Sequence, residues 1–188
     1  MKKFNVIVSG VRGAVGLGIC MNIRKYYSGK VNIIGINSKP AGAARKFVDD
    51  FYLVPWGDEP DYINVIKDLY KNKECSLIIP STDLEVMVLS NFQSELNIAC
   101  HDTIACTTFF DKLTNFEAFN KLGIPFLDSQ RVQSYDGRYK ELVVKPRSGR
   151  GSRGILKNMP KEEIIKLDDS YMVQAMESGL EYTSTFYV

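Results

Sequence analysis

At 188 residues the chain has room for one large domain or two small ones, and its 45% hydrophobic and 24% charged residues exclude the disordered and fibrous classes. Twenty-four Lys and Arg against 22 Asp and Glu leave a formal charge of +2, without the concentrated basic excess of a nucleic-acid surface. Any phosphate binding must therefore be local.

The N-terminus sets two lysines before an apolar run of about five residues, too short for the core of a signal peptide. No apolar stretch approaches the ~18 residues of a membrane helix, so a cytoplasmic chain without a membrane partner is expected. Residues 4–8 read as a strand, and a glycine-rich turn leads from it into a helix over 14–27. A second strand covers 31–36, bounded by Asn37, Ser38 and Pro40. A third, over 51–54, ends at Pro55. Residues 61–71 carry Tyr62, Val65, Ile66, Leu69 and Tyr70 at helical spacing. An all-apolar strand over 77–79 closes at Pro80, and 83–93 reads as a further helix. Continuous apolar strands alternating with helices predict an α/β fold, with a parallel sheet covered on both faces.

The cysteines, Cys20, Cys75, Cys100 and Cys106, form no C-x-x-C pair, and His101 is the only histidine. Cys100 and His101 are expected to be strand neighbours facing opposite ways. Reduced, buried thiols are therefore expected, with no metal site and no Cys–His pair.

The pattern changes between residues 108 and 112, which predicts domains over 1–110 and 111–188. Thr114-x-x-Glu117 fits a capping box, followed by an apolar stripe of Phe116, Phe119 and Leu122 and by the stop signals Gly123 and Pro125. Short β-like segments come next, at 131–132, 142–145, 171–176 and 182–188, with one short helix over 160–167. Such a mixture predicts a small α+β unit.

Two glycine-rich segments invite a nucleotide reading. The first, Gly10-x-x-Gly13-x-x-Gly16, lies between a strand and a helix, where a dinucleotide fingerprint would stand. Its spacing is not G-x-G-x-x-G, and the second strand ends at Asn37 with no acid before Asp49. Close crossing of the first helix over the first strand explains the same glycines, and is the preferred reading. In the second segment a strand delivers Lys145 into Pro146-Arg147-Ser148-Gly149-Arg150-Gly151-Ser152-Arg153-Gly154. Glycines leave amides free to converge on phosphate oxygens, hydroxyls add donors, and the lysine adds a compact charge. A solvated hairpin tip would explain the glycines and serines, but less well the arginines gathered there. Phosphate binding is therefore expected. Because the lysine precedes the glycines, the loop is not a Walker A motif.

This segment resembles the flexible phosphate loop of ATP-grasp enzymes, and most of all the carbamoyl-phosphate-synthase-like branch. Three other stretches agree with it: Asp111-Lys112 with the Gly123-Ile124-Pro125 that ends the next helix, Val173-Gln174-Ala175-Met176 with Gly179-Leu180-Glu181-Tyr182-Thr183, and Ile79-Pro80-Ser81-Thr82-Asp83-Leu84-Glu85 upstream. The resemblance implies a Rossmann-like pre-ATP-grasp domain over 1–110 and an incomplete first ATP-grasp subdomain over 111–188. It also implies roles for individual residues. Lys112 and Lys145 would neutralise ATP phosphates, and Ser148, Gly149, Arg150, Gly151, Ser152, Arg153 and Gly154 would fold over them. Gln174, Ala175 and Met176 would line the adenine pocket, and Glu181 would accept from the ribose hydroxyls. Ala175 stands where the family often has Glu.

Such ligases activate a carboxylate as an acyl phosphate that an amine or ammonia attacks, with magnesium offsetting the phosphoryl charge. The family's metal ligands lie in a later segment, so the expectation is a chain that stops before them. Two rivals stay open: a dinucleotide-binding oxidoreductase built on Gly10 to Gly16, and a non-catalytic nucleotide-binding or interaction module. The acceptor substrate and the oligomeric state are not legible.

Overall fold

The computed structural model of the protein describes residues 3–149, 151–180 and 182. Contacts divide the chain into two units, Met1–Phe110 and Asp111–Val188.

In the first unit, β1 (Phe4–Val8), β2 (Val31–Asn37), β3 (Asp50–Leu53) and β4 (Cys75–Ile79) form a parallel sheet in the order β3-β2-β1-β4. Alternation along each strand feeds two cores. Val6, Val8 and Ile33 pack with Val11, Cys20 and Val48, whereas Ile7, Ile34, Ile36 and Ile78 pack with Tyr62, Ile66 and Leu89. The helices α1 (Ala14–Tyr27) and α2 (Tyr62–Asn72) lie where the periodicity places them. The next helix, α3 (Asp83–Leu89), is shorter than expected, because the chain tightens into a 3-10 turn over Ser90–Phe92.

Beyond it one expectation fails and one helix was not foreseen. Cys100 and His101 are not in a strand: beyond the single bridge of Ile78 to Ile98, the chain bends, and the Gln93 amide donates to the carbonyls of both residues. Thr103–Phe110 forms a helix, α4, that the periodicity did not reveal. Asp102 starts it by accepting from the Ala105 amide at 2.9 Å.

The second unit carries β5 (Ser129–Arg131), β6 (Leu142–Pro146), β7 (Leu156–Lys157) and β8 (Tyr171–Ala175) in one antiparallel sheet, ordered β5-β8-β6-β7. The two-residue strand β7 was not foreseen, the helix α6 (Lys161–Ile164) is shorter than expected, and the segment over 182–188 lies largely outside the described residues. Helix α5 (Lys112–Lys121) starts differently from expectation. Asp111, not Thr114, is its cap, accepting from the amides of Leu113 and Thr114, while Glu117 reaches out to Arg131. An Asp immediately ahead of the helix reaches its free amides without using a residue of the first turn. The stop behaves as expected: the Gly123 amide donates to Asn120 and that of Ile124 to Phe119, with Gly123 at φ 67°. Phe116 and Phe119 both meet the Phe126 ring, but Leu122 is 72% exposed and leaves the stripe.

Alternation again decides what faces where. Leu142, Val144 and Val173 join Val132, Tyr135 and Ile164 in the core. The intervening positions of the same strands place Lys145 and Gln174 on the opposite face of the sheet.

Candidate functional site

Two lysines of the second unit converge on one cleft. Lys145 comes from β6, and its Nζ donates to Gln174 Oε1 on β8 at 2.7 Å. Lys112 comes from the first turn of α5, and its Nζ donates to the carbonyls of Arg147 and Gly149, both at 3.2 Å. Among the described residues neither ammonium is paired with a carboxylate. Burial pushes the Lys145 ammonium below the ordinary lysine range, and the charge of Lys112 adds to the effect.

Both lysines line two adjoining cavities. One, of about 530 Å³, is walled by Asn115, Pro125, Phe126, Leu127 and Gln174. The other, of about 230 Å³, is walled by Pro146 and by Gly149, Gly151, Ser152, Arg153 and Ile155 of the glycine-rich loop. The larger cavity thus sets apolar and aromatic walls beside the two lysines, and the smaller one sets loop backbone and Arg153 beside them. Ser148 and Gly154 belong to the same exposed loop without lining either cavity; Arg150 lies outside the described residues.

Arg147 does something other than what its place among the loop's arginines suggests. Its guanidinium holds Asp111 through Nη2 at 2.6 Å and Nε at 3.0 Å, and Asp169 through Nη1 at 2.5 Å. Burial alone would lift the Asp111 carboxyl, but Arg147 and the helix amides hold it below its ordinary value. Arg147 therefore fixes the base of the loop to the start of α5 and does not point into the cleft.

At the end of β8, the Ala175 amide donates to the backbone carbonyl of Asp128 and the Met176 amide to that of Glu141, so both donors are already used. Neither residue lines the cavities, whereas Gln174 does. Glu181 lies outside the described residues. The sequence reading missed the cavity wall of Pro125, Phe126 and Leu127, and also Asn115, whose Oδ1 is buried without a hydrogen-bond partner. Only the spacing of Asn115, one helical turn from Asp111, could have drawn attention to it.

The first glycine-rich turn is occupied by its own chain. Glu85, 8% exposed, accepts from Ser9 Oγ at 2.7 Å, Thr82 Oγ1 at 2.7 Å and Tyr62 Oη at 3.2 Å, beside the switch in strand order between β1 and β4. Asp49 is held by Arg24 at 2.6 Å and by the Ile33 amide at 2.7 Å. A dinucleotide reading is not favoured by this arrangement. All four cysteines are free, and burial raises the Cys20 and Cys75 thiols to about 11. Among the described residues no three of His, Cys, Asp and Glu stand together as a metal site, and no helix is long and apolar enough to cross a membrane.

Residues 8–101 match the family described as PylC-like, N-terminal domain. No curated protein sequence matches the chain. Among solved structures, N5-carboxyaminoimidazole synthetase from Staphylococcus aureus complexed with ADP is 15% identical with a TM-score of 0.71, over 93% of this chain and 48% of that one. The biotin carboxylase domain of Hydrogenobacter thermophilus 2-oxoglutarate carboxylase, in complex with MgADP, ADP and bicarbonate, is 14% identical with a TM-score of 0.69, over 94% and 45%. L-amino acid ligase from Bacillus licheniformis is 10% identical with a TM-score of 0.70, over 94% and 44%. These enzymes are ATP-grasp ligases, and at such identity the likeness is one of fold. The chain spans about half the length of each.

Proposed function

This chain belongs to the PylC-like N-terminal domain family, and we propose that it supplies the nucleotide-binding part of an ATP-dependent ligase. In this reading residues 1–110 are the Rossmann-like pre-ATP-grasp domain, and residues 111–188 the first ATP-grasp subdomain of a cytoplasmic, carbamoyl-phosphate-synthase-like enzyme. Lys112 and Lys145 hold ATP phosphates, and the loop of Ser148, Gly149, Arg150, Gly151, Ser152, Arg153 and Gly154 covers them. Gln174, Ala175 and Met176 border the adenine, and Glu181 the ribose. ATP bound there would phosphorylate a carboxylate, and an amine or ammonia would displace phosphate from the resulting acyl phosphate.

One observation carries this reading: two ammonium groups share a cleft without a counter-charge among the described residues. Burying a cation unpaired is unfavourable, and a polyanion between the two would relieve the cost. Magnesium would offset phosphoryl charge, but the described residues offer no cluster to hold it, and no step is routed through it.

Calorimetric titration of the 188-residue protein tests the reading. ATP and ADP should bind and NADH should not, and Lys145→Ala should weaken ADP binding by about tenfold to a hundredfold, as expected for losing a charge-assisted hydrogen bond. Absence of nucleotide heat from the wild type, or equal affinity in the variant, would overturn it.

A further inference from the structure

Lys145 is aimed by a chain of hydrogen bonds that begins on another strand. Ser129, 4% exposed, donates its one hydroxyl proton to the Leu127 carbonyl at 3.0 Å. It therefore has only lone pairs left for Gln174, 5% exposed, whose Nε2 lies 3.0 Å away. The amide nitrogen must face Ser129, so the amide oxygen must face the Lys145 ammonium, 2.7 Å away. The sheet makes this possible: Ser129 stands opposite Gln174 across β5 and β8, and Gln174 stands opposite Val143, two residues before Lys145 and on its face of β6.

We propose that Ser129 and Gln174 form a positioning pair that points the Lys145 ammonium at an anion in the cleft without neutralising it, a role that rests on the phosphate reading above. A neutral amide suits this task where a carboxylate would not. Glutamate at the same place would accept from Lys145 at least as well, but would cancel its charge and repel phosphate oxygens. With one N–H spent on Gln174, the ammonium keeps two donors for the ligand. Burial and Lys112 both disfavour its charged form, and the amide oxygen works against them.

Three measurements on the 188-residue protein test the pair: ADP affinity by calorimetry, unfolding by urea, and titration of the Lys145 side chain by NMR of 13Cε-labelled lysine, assigned by its loss in Lys145→Arg. Gln174→Glu should raise the Lys145 titration midpoint, yet weaken ADP binding at least about tenfold. Ser129→Ala should lower that midpoint and weaken ADP binding about fivefold, with Ser129→Thr restoring both. A purely structural role predicts that affinity and stability fall together while the Lys145 titration stays in place; that result overturns the proposal, as does unchanged ADP affinity in Gln174→Glu. Should Ser129→Ala not fold, the opposed responses of Gln174→Glu decide alone. A wild type that does not bind ADP defeats the cleft reading, while the ligand-free titrations still decide whether the amide aims Lys145.

Discussion

A Cβ added at Gly16 would lie 2.5 Å from the Gly10 carbonyl oxygen and 2.8 Å from that of Ser9, whereas one added at Gly151 would meet nothing within 4 Å. The two glycine-rich segments thus use the residue for different reasons. In the first, helix α1 crosses the end of β1 so closely that only hydrogen fits. In the second, the backbone at φ 64° turns where L side chains rarely go, in open space. Their polar groups differ in the same way. Around the first turn the Val11 amide serves Ile36, the Gly13 amide serves Gly10, and the Ser9 hydroxyl serves Glu85. Around the second, two lysines wait without a carboxylate among the described residues. Glycine density alone reports backbone geometry; the unmatched charge is what supports the proposed ligand.

The contrast can be broken most forcefully at Gly16. Gly16→Ala should cost about 1–3 kcal/mol or more by urea unfolding, since the clash is with backbone that has no flexible end to move aside. Gly151→Ala should cost only the local strain, about 1–2 kcal/mol, and should weaken ADP binding, which Gly16→Ala does through stability alone. A neutral Gly16→Ala would return the first turn to the list of candidate phosphate loops.

A middle-sized effect should mark the anchored base of the second loop. Asp111→Asn keeps an acceptor for the helix amides but loses the ion pair, so about 2 kcal/mol of stability should go near neutral pH. Burial would raise the Asp111 carboxyl, yet Arg147 with the amides of Thr114 and Leu113 holds it below its ordinary 3.8. A lowered folded value means the contribution is complete above about 3.8 and fades as pH falls through the lowered one. Melting temperatures of wild type and Asp111→Asn should therefore differ fully at neutral pH and converge in strong acid. Parallel curves would show that the pair adds nothing.

The smallest change sharpens the comparison from the other side. Gly18 sits two residues beyond Gly16 in α1, and a Cβ there would meet nothing within 4 Å. Gly18→Ala should stabilise the protein by about 0.5–1 kcal/mol, because helix interiors favour alanine where space allows. Loss of stability there would mean that α1 tolerates no added side chain anywhere near the crossing.

Much of the fold was written locally. Residues 4–8 and 14–27 announced β1 and α1 to the residue, because apolar runs and helical spacing are properties of neighbours. Failures came where a distant group or a single cap decided the outcome. Nothing in the composition of Thr103–Phe110 marks a helix, since its apolar residues follow no clean stripe; the Asp102 cap starts it. Thr114 and Glu117 fit a capping pattern, but the helix already starts at Asp111, which accepts from the Leu113 and Thr114 amides, and Arg131 drew Glu117 away.

The sequence by itself determined that a strand hands a lysine to a glycine-rich loop, and that this loop follows a chain segment of alternating strands and helices. Only the tertiary structure decided that Arg147 belongs to Asp111 and Asp169, and that Gln174 lies between Ser129 and Lys145. The reason is the order β5-β8-β6: side chains 29 and 45 residues apart become hydrogen-bond partners when antiparallel strands set them on one face, and no local pattern records which strands will lie side by side.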